Sequence, residues 1–273
     1  MAITDLKYHS YFSVFTGADS DSTTAAFNPF KEGNYSSTYT HTTVSSPDIV
    51  YLPSTGRIRF RTPGDYLIFA CVNAVTQATN EIAMAIEQND TAVYTTSGLN
   101  ARTSTDAIQT EGHVIVSVSR NDSVRVRIDG SLTVKAQAGS HFMVLKLNGL
   151  YANAFYATDA TDQTDNNYDL FASGEGGQIN SKVNGVTYDT SNGRFTPSAT
   201  RKFLTISTQH YDNSGVRDDL EHRIVKGVPG IEFDSEVVDY AVHTAVVPLT
   251  HTIGYALEVA DNTFIRINNT QAG

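Results

Sequence analysis

The side chains able to do chemistry are scattered. A serine nucleophile on a strand-to-helix elbow needs Gly-x-Ser-x-Gly, and no such string occurs. The eight histidines, His9, His41, His113, His141, His210, His222, His243 and His251, form neither the His-x-His pair of metal-binding β-barrels nor His-Glu-x-x-His. They read as surface or hydrogen-bonded imidazoles. Cys71 is alone, which removes an intrachain disulfide and a thiolate zinc site. Set in Phe69-Ala70-Cys71-Val72, it reads as a small buried hydrophobe.

Asp159-x-x-Asp162-x-x-Asp165 could offer oxygen ligands to Ca²⁺ but lacks the glycine turn and bidentate Glu of a calcium loop, so it reads as a solvated linker. Gly174-Glu175-Gly176-Gly177 lacks the strand before and the helix after that phosphate cradling demands. No pair among the 29 acidic residues is singled out for glycoside hydrolysis. Sequons at Asn34, Asn89, Asn121 and Asn268 are what a chain rich in Asn, Ser and Thr produces by chance. The expectation is a protein that is not an enzyme and holds no cofactor and no metal.

The elements that would position any site are strands. Val114–Val118, Val124–Ile128 and Phe264–Ile267 alternate with period two, and Asn89-Asp90, Asn121-Asp122, Asp129-Gly130, Asn148-Gly149, Asn184-Gly185, Asn192-Gly193 and Asn213-Ser214-Gly215 supply turns. The best short helical candidate, Gly215–Val225, carries too much charge to bury a face. The 273 residues carry a net charge of −10 and only 18% charged side chains. That balance excludes a nucleic-acid backbone as partner, which needs clustered Lys and Arg. Apolar runs such as Tyr66–Val72 are shorter than the ~20 residues of a membrane-spanning helix, so no membrane partner is expected. The opening Met1–Lys7 shows no basic-then-apolar leader, and the expectation is synthesis in the cytoplasm.

Self-comparison shows two related halves. Tyr51, Ser54, Gly56 and Arg57 match Tyr188, Ser191, Gly193 and Arg194 at an offset of 137, and the same offset pairs Tyr66-Leu67 with Phe203-Leu204. Asp122 and Arg127-Ile128 match Asp261 and Arg266-Ile267 at an offset of 139. The fold class expected is all-β, two tandem antiparallel β-sandwiches, over residues 1–150 and 151–273, with a docking arm at Ala2–His9. After the Asp261–Ile267 strand the second half has no evident last strand; Val242–Leu249 or a neighbouring copy are the candidates to complete it.

Tyr11-Phe12-Ser13-Val14, the turn Tyr51–Phe60, the strand Pro63-Gly64-Asp65-Tyr66-Leu67-Ile68-Phe69, the turn Arg120–Val124 and the strand His141–Leu147 occur in the order found in the globular head of the first complement component. The first half thus resembles the tumour-necrosis-factor-like jelly rolls, and the second is a degraded copy. The resemblance implies jelly-roll sandwiches that assemble as compact homotrimers around an apolar axis.

A strand with one wet face alternates apolar and polar residues. In Tyr66–Val72 both faces are apolar, with Leu67 and Phe69 on the second one, and Leu204 and Ile206 repeat part of this in the other half. Either a loop of the same chain covers that side or a subunit contact does; the trimeric packing that the resemblance implies favours the contact, and Leu67, Phe69, Leu204 and Ile206 are the predicted trimer interface. Burying ~100 Å² of each would contribute about 2 kcal/mol per side chain. Tandem, acidic, Thr- and Asn-rich modules of this kind look like trimeric decoration (cement) proteins of tailed bacteriophages. That resemblance implies a homotrimer on the capsid exterior that binds the major capsid protein. The alternative it leaves is a receptor-binding or fibre head module with an aromatic groove from Tyr151, Phe155, Tyr156 and Tyr168.

Overall fold

β-Branched and aromatic residues alternating with polar ones, cut by Asn, Asp and Gly, favour short paired strands over helices. The computed structural model describes residues 2–5, 11–20, 26–35, 46–76, 81–96, 99–100, 107–130, 134–156, 167–173, 179–211, 219–229, 231–244 and 249–272. Among these, the only helical element is a single 3-10 turn at Glu32–Asn34. No helix among them is long and apolar enough to cross a membrane. Two compact units emerge: residues 9–146, and residues 1–8 together with 147–273.

Strand β1 (Ala2–Asp5) opens the chain. The unit of residues 9–146 follows, with β2 (Tyr11–Phe15), β3 (Ala26–Phe27), β4 (Ile49–Leu52), β5 (Arg57–Phe60), β6 (Gly64–Thr76), β7 (Glu81–Gln88), β8 (Thr91–Thr95), β9 (Leu99–Asn100), β10 (Ala107–Val118), β11 (Ser123–Gly130), β12 (Val134–Ala136) and β13 (His141–Leu147). Then come β14 (Tyr151–Tyr156), β15 (Asn167–Leu170), β16 (Ile179–Asn184), β17 (Val186–Asp189), β18 (Arg194–Pro197), β19 (Arg201–Tyr211), β20 (Asp219–Val228), β21 (Ile231–Thr244), β22 (Leu249–Val259) and β23 (Phe264–Ala272).

The first unit is a sandwich of two antiparallel sheets, β2-β13-β6-β10 and β4-β5-β11-β7-β8. The second unit keeps both orders and adds β16 at the edge beyond β14, with β16-β14-β1-β19-β22 and β17-β18-β23-β20-β21. Position by position, β14 stands for β2, β19 for β6 and β22 for β10. Even the outrigger is kept, β3 on β11 and β15 on β23. These are two jelly-roll sandwiches, and the fold is all-β. The sequence repeat has a physical counterpart as well. Tyr51 donates its hydroxyl to the Phe30 carbonyl and Tyr188 donates to that of Phe171. Each tyrosine begins a turn that ends on a left-handed glycine, Gly56 or Gly193, both at φ 64°. A side chain at Gly56 would meet Asn28 and the Lys31 backbone, so only glycine fits there.

One position breaks the parallel. In the first unit the strand between β2 and β6 is β13, the last of its half; in the second unit that place is taken by β1. Ala2, Ile3 and Thr4 lie opposite Asn153, Ala152 and Tyr151, and Ala2–Asp5 lie opposite Ile206–Phe203. This corrects the docking arm expected at Ala2–His9: Ala2–Asp5 form a central strand of a five-stranded sheet, while residues 6–9 lie outside the described residues. The physical reason is that β14 and β19 each carry a row of backbone donors and acceptors that must be paired inside a sheet. It also answers the missing last strand: Val242–Thr244 belong to β21 and Leu249 starts β22, so neither fills that place.

The turns follow the sequence with one exception. Asn89 and Asp90 have φ of 50° and 69°, the two-residue hairpin that joins β7 to β8. Asp129-Gly130, expected as a turn, continues β11 because it is paired with Ile82 and Ala83 of β7. Asn213–Gly215 falls outside the described residues, and Gly215–Val225 is strand from Asp219 onward.

If β1 closes the second sheet, Thr4→Pro removes a backbone donor in its middle and costs about 1–3 kcal/mol for each partner left unsatisfied. Hydrogen exchange should then show amides of 151–154 and 203–206 losing protection while those of 66–72 keep theirs. Equal loss in both units, or none, would contradict the assignment.

Candidate functional site

The two sheets of the unit of residues 9–146 turn different sides outward. On β11, Val124, Val126 and Ile128 are fully buried, and so are Ile82, Met84 and Ile86 on β7. The intervening residues carry charge. Arg125 Nε lies 2.6 Å from Glu87 Oε2 and its Nη2 lies 2.9 Å from Asp90. Arg127 reaches Glu87 at 2.9 Å and Asp129 at 2.7 Å. Arg57 pairs with Asp90 and holds that carboxyl below its ordinary range. Glu87 is only 2% exposed because the two arginines cover it.

The other sheet has a different outward side. Antiparallel register sets Leu67 opposite Ile115, Phe69 opposite His113 and Cys71 opposite Glu111. Directly opposed residues point to the same side, so these six form one patch. The inward set of β6, Tyr66, Ile68, Ala70 and Val72, is fully buried, and so is Leu67 on the outer side. Both faces of β6 are thus apolar, and Phe69 remains half-buried with the His141 ring stacked on it at 5.3 Å.

In the second unit Phe203 points into the core with Leu257, Val259 and Ile265, which places Leu204 and Ile206 on the outer side of β19. Leu204 is half-buried and Ile206 is 9% exposed. The four predicted interface residues thus fall on the outer sides of two equivalent strands, two on each unit. Leu67 has no surface left to lose in the single chain.

Cys71, Glu111 and His113 bring together the residue types of a thiol nucleophile site, yet the electrostatics oppose it. Burial, and then the Glu111 carboxylate, push the Cys71 thiol up to about 12, against a smaller lowering by Gln109. A nucleophilic cysteine needs the reverse, a positive environment that favours thiolate. The same carboxylate adds to burial in raising the Tyr94 phenol. The Tyr66 phenol is pushed up to about 12, by burial and then by Asp48.

A second pairing has no signal in the sequence: His222 Nε2 lies 2.9 Å from Ser207 Oγ, from β20 to β19 across the sandwich. Both are 0% exposed, so no substrate reaches them. The pair is a hydrogen bond that satisfies two polar groups inside a core. His9 and His41 lie outside the described residues, as do Asp159, Asp162, Asp165 and Gly174–Gly177. Among the described residues no group of three or more His, Cys, Asp or Glu is placed to hold a metal.

Of the aromatic groove of the alternative reading, the Tyr168 side chain lies outside the described ones, and the other three do not share one side. Tyr151 is 5% exposed, whereas Tyr156 turns inward and stacks on Phe171 at 5.3 Å. Successive residues on a strand point to opposite sides, so Phe155 and Tyr156 cannot share one.

No protein-family description and no curated protein matches the chain. Among solved structures, similar ones include murine APRIL at pH 5.0, with 12% identity over 51% of this chain and 100% of that one and a TM-score of 0.36. The globular domain of zebrafish complement 1qA protein covers 52% of this chain and 98% of its own, at 12% identity and TM-score 0.33. Eiger TNF from S. frugiperda covers 57% and 99%, at 13% and 0.38. The fold stands on the two strand orders.

Buried thiol and phenol groups fix a pH dependence. The folded state holds these protons more tightly than the unfolded chain, whose thiol titrates near 9 and phenols near 10. Their contribution to stability is therefore complete below about pH 9 and falls as pH rises toward 12. Denaturation midpoints should drop across that window, and alkylation of native Cys71 should stay slow and flat from pH 7 to 9. Labelling as fast as in the unfolded chain would refute the buried thiol.

Proposed function

We propose that the chain is a non-catalytic structural protein that works by assembling: a homotrimer formed through the apolar outer sides of β6 and β19. In this reading it docks on the major capsid protein at the exterior of a tailed-phage virion and braces the shell. The observation that carries it is the contrast within one unit between a sheet side closed by a Glu87–Arg125–Arg127 ion-pair ladder and an opposite apolar side on which Leu67 and Ile115 are already buried within the chain and Phe69 keeps part of its surface. A charged side is at home in water; an apolar one gains by being covered. The tandem arrangement and the acidic, Thr- and Asn-rich composition support the capsid as the setting.

Because Leu67 is already fully buried, the contact would fall on Phe69 and Leu204, which retain surface. Removing ~50 Å² from each stabilises the assembly by about 1 kcal/mol per side chain, counted three times over around a three-fold axis. A trimer that touches several capsomers turns weak contacts into firm attachment through multivalency.

Light scattering at micromolar concentration should give three times the 29.7 kDa chain mass, and Phe69→Asp with Leu204→Asp should return it to a monomer. A wild-type monomer would sink the trimer. Copy number then tests the setting: hundreds per virion fit a shell protein, while a few dozen fit the receptor-binding or fibre head module.

A further inference from the structure

The second sandwich is completed by a strand separated from the rest of it, along the sequence, by another folded unit. Between β1 and β14, its neighbour in the sheet, lie residues 6–150, which include the whole unit of residues 9–146. Among the described residues the ladder is also short: three residue pairs to β14 and four to β19, against eleven between β19 and β22 and nine between β20 and β23. A short ladder opens at low free-energy cost compared with the sheet around it. The vacated place is not tolerable, because two central strands would each expose a row of unpaired backbone groups, and any matching strand would be drawn in.

We propose that this place is a strand-accepting slot that takes Ala2–Asp5 from a second copy of the chain, so that copies become linked by exchange of β1. The occupant is set by identity: the N-terminal strand of another copy makes the same seven residue pairs in the same register. Exchange therefore sacrifices no contact and costs only the entropy of association, the usual basis of segment swapping. It is independent of the apolar sheet sides, since it uses the backbone of β14 and β19 and not the outer side chains of β6.

The test uses full-length chains on a Cys71→Ala background. One copy carries Ile3→Cys and a second, mass-tagged copy carries Thr205→Cys, two positions directly opposite each other. Thr205 is 0% exposed, so a disulfide to it requires a strand seated in the sheet and not a surface encounter. Thr4→Cys with Leu204→Cys is the parallel pair, so that one of the two has the closer, non-hydrogen-bonded geometry. Equimolar copies are refolded together and oxidised.

The expected result is a covalent pair of tagged and untagged copies whose yield rises with protein concentration, and none when the acceptor is Ser191→Cys on the exposed β17–β18 turn. Closure within one chain of the Ile3→Cys/Thr205→Cys or Thr4→Cys/Leu204→Cys double variant, without any pair between copies at any concentration, would overturn exchange. So would equal pairing to Ser191→Cys, and so would failure of both double variants to close, which would unseat β1 itself. A trimer that persists in light scattering without cross-linked copies would leave the assembly reading standing and remove only exchange.

Discussion

Pairing of backbone groups within the second sandwich is the constraint on which the organisation of the chain turns. Strands β14 and β19 flank a gap one strand wide, and an unpaired row on either side of it would cost far more than any side-chain contact in the unit contributes. Among the described residues of 147–273 every strand, β22 and β23 included, already has another place in a sheet. The strand that fills it is β1, from the other side of residues 9–146 in the sequence. That requirement couples the first residues to the last hundred and makes the second unit discontinuous.

Side-chain chemistry then separates what each sheet can do. In the first unit one sheet turns outward a network in which two arginines share a buried carboxylate, and the opposite sheet turns outward Leu67, Phe69 and Ile115. The second unit keeps a reduced version, with Leu204 and Ile206. The polar groups that sit near the apolar patch, Glu111 and His113, are themselves buried, and burial together with the Glu111 carboxylate holds Cys71 as a neutral thiol rather than activating it. The molecule has the residue types of a thiol or serine enzyme in two places, and in both the surroundings oppose reaction.

Much of the fold was legible in the residues. The repeat of Tyr51–Arg57 at Tyr188–Arg194 corresponds to equivalent turns with equivalent hydrogen bonds, because a left-handed glycine and a tyrosine reaching a carbonyl are local devices that leave local marks. The apolar doubling of Tyr66–Val72 was legible for the same reason: period two assigns every residue to a side. What was not legible depends on distance along the chain. Ala2–Asp5 is too short to show a pattern of its own, and its partners lie some 150 to 200 residues away, so nothing near it reveals that it is a strand. The Ser207–His222 pair is hidden likewise, since it forms across two sheets. Tyr156 shows the limit of composition: four aromatics close in sequence suggest a groove, but alternation sends neighbours to opposite sides.

The position of β1 also sets an order on biosynthesis. Ala2–Asp5 are made well before they can find their place, because Phe203–Ile206 follow some 200 residues later, on the order of 10–40 s at ordinary elongation speeds. During that interval the first sandwich can complete itself on its own strands, while the leading segment waits. A nascent chain that stalls between the two halves therefore has one finished module and a β1 without its partners, and the second module acquires its full sheet only once Phe203–Ile206 have been made.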